Sequence, residues 1–331
     1  MGEPSIPSSI ADVTPAWMTD VLHHAGTLPD DGSVAVLRPV QIGEGVGIMG
    51  EIHKVDLDYE GSRGGAPDSV VVKLPSAFED NRQQGIDLGV YEAEVRFYAE
   101  LTSRTTAGLP DIHLSKIVPG TADFVIVMED LSHLELIDQA TGMTPEQALA
   151  AVRVLAQIHA AWWEQVHDAE LEWIPTMIGP RIEAVNELFA QVWPLFLERF
   201  GDHLPEGGAE LGELFSTRYL QLCQGLAGRA PWTLAHQDFR VENLLFGDPS
   251  NDEVYVIDWQ SIARGPGAYD LSYILGGSLS IEDRRNHEAE LLEAYHQQLT
   301  AHGVEGYAFE QCSADYSYAQ SVGGLAVTVF A

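Results

Sequence analysis

The stretch LAHQDFRVENLLF, residues 234–246, sets His236, Asp238, Arg240 and Asn243 between apolar flanks. A second stretch, VYVIDWQ, residues 254–260, ends a β-branched and aromatic run on Asp258. An Asp can accept or orient the proton of an attacking hydroxyl. An Asn carbonyl and an Asp carboxylate are hard oxygen ligands that suit magnesium carried with a nucleotide phosphate. Asp and Asn also serve simply as turn formers, and an isolated Asp-x-x-x-x-Asn would be read that way. The flanking runs LLF and VYVI shift the balance. They read as buried strands, and charge beside a buried strand needs a partner. The two stretches are therefore expected to belong to one site.

The same chemistry asks for a phosphate-binding group elsewhere. The chain has only three lysines, Lys54, Lys73 and Lys116. Lys73 ends the most β-like run, SVVVKLP. A lysine there either guards a sheet edge or points inward to phosphate, with Glu92 and Glu94 on the following helix as candidate partners. Upstream, GEGVGIMGEI carries Gly45, Gly47 and Gly50 between two expected strands. A dinucleotide fingerprint needs a strand-to-helix turn, so that reading is set aside. A hairpin over nucleotide phosphates fits the context, as does a plain flexible turn.

Around these motifs the pattern changes once. Thr14 and Pro15 open a helix that carries Trp17, Met18, Val21 and Leu22 on one face and ends near Gly26. Strands are expected at 34–42, 51–59, 69–74, 112–118 and 122–129, and one long helix at 86–104. After Leu131 the periodicity is helical. Thr144, Pro145 and Gln147 form a capping box ahead of LAQIHAAWW, and amphipathic stretches cover 181–200, 209–227 and 283–301. The expected fold class is α+β, with a small antiparallel β lobe bearing one long helix, followed by a larger helical lobe.

Composition excludes several other classes. The formal charge is −33, from 50 acidic and 17 basic residues, which would be repelled by a phosphate backbone; no nucleic-acid partner is expected. Solubility is the favoured reason for the acidity, and attraction of a cationic substrate the alternative. Two cysteines, Cys223 and Cys312, have no zinc or disulfide spacing and fit a reducing compartment. The opening MGEPSIPSSI has no basic and apolar leader pattern, and no apolar run reaches membrane-spanning length. A cytoplasmic protein without a membrane span is expected.

In order and spacing, HQDFRVEN and VIDWQ, supported by EVRFY, VMEDL and LAQIHAAWW, resemble the protein-kinase-like fold over roughly residues 30–300. The resemblance is to its small-molecule branch: aminoglycoside phosphotransferases, choline kinases and the ecdysteroid-kinase-like group. It implies an ATP- and Mg2+-dependent phosphotransferase acting on a small-molecule hydroxyl. It implies a nucleotide-binding lobe at 1–128, a linker at 129–133 and a helical lobe at 134–331. Asp238 would be the catalytic base, and Asn243 and Asp258 the Mg2+ ligands. Lys73, fixed by Glu94, would grip the α- and β-phosphates beneath Gly45, Gly47 and Gly50. The Glu129 carbonyl and Leu131 N–H would meet the adenine edge. His236 would brace the catalytic loop and Asp270, in AYDLSYIL, would anchor it. Arg240 would offset charge on the travelling phosphoryl group or form a structural ion pair.

The sequence departs from the pattern in places. Gln237 stands between the His and the Asp where relatives usually have Gly or Arg. DWQ replaces DFG, and no APE segment follows, which argues against a protein kinase with an activation loop. Trp162, Trp163 and His159 read as core residues rather than ligands. The acceptor is expected to be a cationic compound, such as an amino sugar or a quaternary amine, or an apolar alcohol held by Trp193, Phe196 and Tyr219. The alternatives are a hydroxyacyl-CoA kinase and a catalytically silent nucleotide-binding module.

Overall fold

A computed structural model describes residues 3–43, 49–105, 108–229, 231–248 and 252–323. By contacts the chain divides into two compact units, one of residues 1–134 with Ile257–Ser261, the other of the remainder. The α+β class expected from the sequence is the one observed.

The first unit begins with α1 (Pro15–His24), capped by the Thr14 hydroxyl, which accepts the Trp17 N–H at 3.2 Å. Three antiparallel strands follow, β1 (Ser33–Ile42), β2 (Gly50–Glu60) and β3 (Ser69–Pro75). Then come two short helices, α2 (Glu79–Asp87) and α3 (Val90–Arg96), and a π-helical turn over Phe97–Leu101. Strands β4 (Ile112–Ile117) and β5 (Phe124–Glu129) complete a five-stranded sheet in the order β1-β2-β3-β5-β4.

Strand alternation decides what each face of this sheet does. Val70, Val72 and Leu74 of β3, with Val125 and Val127 of β5, pack against Trp17, Met18, Val21 and Leu22 of α1. Each fully buried side chain of this size contributes about 1.5–3 kcal/mol. Lys73 is out of phase with that set. It pairs in register with Ile126 and so belongs to the opposite face.

The expected single helix at 86–104 is interrupted. Gly89 takes φ +67, a left-handed conformation that a glycine reaches without penalty, and α2 stops there. The chain restarts as α3 and then widens into the π-turn. The apolar spacing of Leu88, Tyr91, Val95 and Tyr98 concealed the break, because periodicity reports the buried face and not backbone continuity.

The second unit is mainly helical. A short β6 (Glu135–Leu136) precedes α4 (Pro145–Trp162), whose Thr144–Gln147 capping box is formed. Helices α5 (Pro180–Phe200) and α6 (Gly208–Ala227) follow. Strand β7 (Trp232–Ala235) leads into the 236–243 loop, and β8 (Leu244–Phe246) pairs with β9 (Val254–Val256). After β10 (Ala263–Pro266) come α7 (Ala268–Gly277), α8 (Ile281–Ala301) and α9 (Phe309–Ala319). Trp193 and Tyr219, expected as walls of an apolar pocket, are instead 4% and 1% exposed in a core with Phe189, Phe215 and Tyr269. Their rings stack through Phe189, and aromatic area of this size is worth more buried in the core than lining a surface. Phe196 stacks on Trp193 at the margin of that core.

Candidate active site

The first unit gathers Lys73, Glu94 and Asp258. Lys73 Nζ donates to both Glu94 carboxylate oxygens, at 2.8 and 2.7 Å, and to Asp258 Oδ1 at 3.2 Å. The Lys73 and Glu94 side chains are only 11% and 2% exposed. Burial works against the ammonium, but the Asp258 and Glu94 charges outweigh it and leave Lys73 raised, firmly cationic. Burial, then the Asp258 charge, pushes Glu94 up against the pull of Lys73. One cation thus faces two acidic groups in a low-dielectric setting, and such a cluster favours a further positive charge.

Asp258 reaches this cluster because residues 257–261 group with the first unit while their flanks group with the second. Trp259 fixes the segment, stacked on Phe97 with ring centroids 3.8 Å apart and 7° between planes. Asp258 itself adopts φ +63, a region that non-glycine residues seldom enter and that Asp tolerates better than most. Gln260 Nε2 donates to its second oxygen at 3.2 Å.

Gly50, expected over the phosphates, opens β2 opposite Pro75. A Cβ there would lie 2.9 Å from the Leu74 carbonyl oxygen, so close backbone approach alone demands glycine. Gly45 and Gly47 lie outside the described residues. The Tyr91 hydroxyl donates to the Met49 carbonyl at 2.6 Å and holds the start of β2. In the 129–133 segment, Asp130 accepts from Lys54 at 2.7 Å and Ser69 at 2.6 Å. Glu129 ends β5, and its N–H is spent on the Asp111 carbonyl. Among the described residues the Leu131 N–H has no acceptor.

The second unit holds the other cluster. Asp270, fully buried, accepts the His236 N–H at 2.6 Å and the Gln237 N–H at 2.9 Å. His159 Nε2 lies 3.2 Å from the same carboxylate, and its Nδ1 is 2.7 Å from the Tyr295 hydroxyl. Gln237, held this way, has φ +67. The His236 ring nitrogen Nδ1 accepts the Asp238 N–H at 3.3 Å. Asn243 Nδ2 donates to the Asp238 carbonyl at 2.8 Å and to Asp238 Oδ2 at 3.1 Å. Arg240 pairs with Glu242 at 2.6 Å and stands 3.5 Å from Asp238 Oδ1, so the structural ion pair is formed.

Two participants were not foreseen. The Tyr273 hydroxyl donates to Asp238 Oδ1 at 3.0 Å, and Gln260 orients Asp258. Tyr273 lies one helical turn after Asp270, and that spacing is the only signal for it in the sequence.

The Asn243 side chain suits the hard cation that the resemblance implies. With the Asn243 amide nitrogen committed to Asp238, its oxygen is the half of the side chain left as a hard ligand, and no donor among the described residues occupies it. Magnesium arriving with phosphates asks for one or two protein oxygens; Asn243 of the second unit and Asp258 of the first each carry a hard oxygen of that kind. Among the described residues no group of three or more His, Cys, Asp or Glu is placed to hold a metal alone.

The fold is a kinase-like α+β fold, with a lysine–glutamate pair in one unit and an anchored Asp/Asn loop in the other. The chain belongs to the ecdysteroid kinase-like family, whose model matches residues 44–304. Among curated proteins it resembles an uncharacterized kinase-like protein of Caenorhabditis elegans, 28% identical over 87 residues. That match covers 26% of this chain and 23% of the relative, so it spans about a quarter of the relative's length. Similar solved structures include an aminoglycoside-3'-phosphotransferase of type VIII, 18% identical, TM-score 0.47, covering 86% of this chain and 93% of that one. A macrolide 2'-phosphotransferase from Brachybacterium faecium is 19% identical, TM-score 0.45, with 94% and 91% covered. Among the described residues no helix is long and apolar enough to cross a membrane.

Proposed function

We propose that the protein is an ATP- and Mg2+-dependent phosphotransferase that moves the γ-phosphoryl group to a hydroxyl of a small molecule. The observation that carries this reading is the buried Lys73 ammonium, gripped by both oxygens of Glu94 with Asp258 in reach. Burying an ion pair carries a desolvation cost, and phosphate binding gives a reason for it. Family membership supports the same reading.

In this reading Lys73 holds the α- and β-phosphates, and Glu94 keeps its ammonium from swinging away. Asn243 and Asp258 hold Mg2+, which supplies charge neutralisation on the phosphates when bound. The Glu129 carbonyl and the Leu131 N–H read the adenine edge, and Gly45, Gly47 and Gly50 cover the phosphates. Asp238 accepts the proton of the acceptor hydroxyl as its oxygen is aligned with the γ-phosphorus. Asp270 and His236 hold the loop that presents Asp238. Arg240, already paired with Glu242, serves mainly to hold that loop. Positioning and electrostatics do most of the work in phosphoryl transfer.

Two measurements test the reading. ATP should raise the melting temperature, and more so with Mg2+; no shift at millimolar nucleotide would remove nucleotide binding. A screen of ecdysteroids and other sterols, amino sugars, quaternary amino alcohols and hydroxyacyl thioesters, scored by ADP release, should then find an acceptor. Asp238→Asn should cut that turnover by a factor on the order of 10² or more. Near-normal turnover in the variant rejects Asp238 as the base, and Mg2+-dependent binding with no turnover on any acceptor or on water leaves a silent nucleotide-binding module.

A further inference from the structure

Helix α7 makes two separate attachments to the 236–243 loop. Asp270 takes the backbone N–H groups of residues 236 and 237. Tyr273, one turn later on the same helix face, reaches the side chain of Asp238 itself. The first attachment shapes the loop. The second acts on the carboxylate.

The donors around that carboxylate come from separate points of the chain. Tyr273 donates to Oδ1 at 3.0 Å, on the side that Arg240 Nε also faces at 3.5 Å. Asn243 donates to Oδ2 at 3.1 Å. The Arg240 charge is shared with Glu242, and the His236 ring accepts the Asp238 backbone N–H. Tyr273 is itself immobile. It is 6% exposed, belongs to the aromatic core, and its ring lies 5.8 Å from that of Tyr269. Burial first, and the negative charge of Asp238 second, push its phenol far up, so the hydroxyl remains a donor at any working pH.

We propose that Tyr273 is a positioning residue for phosphoryl transfer, its hydroxyl fixing the plane in which the Asp238 carboxylate meets the acceptor. This rests on the phosphotransferase reading, in which Asp238 is the base. A short Asp side chain turns about two bonds, and misalignment of a proton acceptor by about 1 Å can cost up to 10²-fold in rate. A hydrogen bond from a core-locked phenol suppresses that rotation.

Tyr273→Phe tests the idea, because it removes one oxygen atom and keeps the ring in the core. The probe is MgATP with water as acceptor, which requires no knowledge of the natural alcohol. The variant should lose kcat on the order of 10-fold, the value of one hydrogen bond to a charged group. Its KM for ATP should stay within about twofold, because that bond is made to the base and not to the nucleotide. A crystal structure of Tyr273→Phe should show the Asp238 carboxylate turned or in two orientations, with the ring still in the core. An unchanged kcat overturns the proposal. So does a fall in kcat that tracks a lowered melting temperature while the Asp238 carboxylate keeps its wild-type orientation. A wild-type protein that binds MgATP but never hydrolyses or transfers it fails one step earlier. It refutes the base itself, and the positioning role with it.

Discussion

Trp259 lies flat on Phe97, with ring centroids 3.8 Å apart and planes 7° from parallel. Phe97 follows Glu94 by three residues and Trp259 follows Asp258 by one. The stack therefore sets the spacing of the two acids around Lys73. Both rings are fully buried. Trp259→Ala should cost about 3–5 kcal/mol in urea unfolding, as large-to-small core changes do. Trp259→Phe keeps a ring to stack and should cost less, on the order of half as much. The milder variant should fold and still bind MgATP more weakly than wild type. Wild-type affinity in Trp259→Phe would mean that Asp258 keeps its place without the indole.

The Lys73–Glu94 pair makes a contrasting prediction for single and double replacement. Lys73→Met leaves Glu94 buried without its cation and should destabilise by about 3–5 kcal/mol. Glu94→Leu leaves the ammonium with Asp258 alone and should cost less than Lys73→Met. The double variant removes both charges and should be markedly more stable than the sum of the two costs implies. Denaturant midpoints for the four proteins close the cycle. All three variants should lose MgATP turnover, because neither packing nor net charge replaces the ammonium.

Asp270 should be the least replaceable carboxylate of the second unit. It satisfies two backbone N–H groups and faces His159, all out of water. Asp270→Ala orphans these donors and should cost several kcal/mol, at about 1–3 kcal/mol per unsatisfied buried group. Asp270→Asn keeps one acceptor and should cost less. Circular dichroism melts rank the two, and equal melting temperatures would show that the loop is held by other means.

The pH dependence of stability should come partly from His53 and His113 in the first unit. Burial lowers both imidazoles, against weaker opposing charges from Glu51 and Asp111. A lowered folded value means that the unfolded chain binds protons first. The stabilising contribution is thus complete above the ordinary histidine value, about pH 6.5, and is lost as pH falls through the folded values. Melting temperature should drop between pH 7 and pH 5. His53→Gln should flatten that slope, and an identical slope in the variant would assign the effect to other groups.

Much of the candidate site was legible because its signals are local. Thr144–Gln147 capping, the alternation that turns Lys73 away from Val72 and Leu74, and the fixed spacing of His236, Asp238 and Asn243 all act within a few residues. The break at Gly89 was missed for the same reason. A lone glycine in a periodic stretch is tolerated in many helices, and here the left-handed turn that it takes decides otherwise.

By itself the sequence determined the α+β class, the five strands of the first sheet and the polar residues proposed here for phosphoryl chemistry, since backbone propensity and hydrophobic period are written in neighbouring side chains. Only the tertiary structure decided which of them became partners: Asp258 joining Lys73 from 185 residues away, Tyr273 closing on Asp238, and Trp193 and Tyr219 sinking into a core. A buried charge or hydroxyl takes whichever partner packing brings within about 3 Å. That proximity depends on the whole fold's balance of burial against desolvation, which no short stretch of chain encodes.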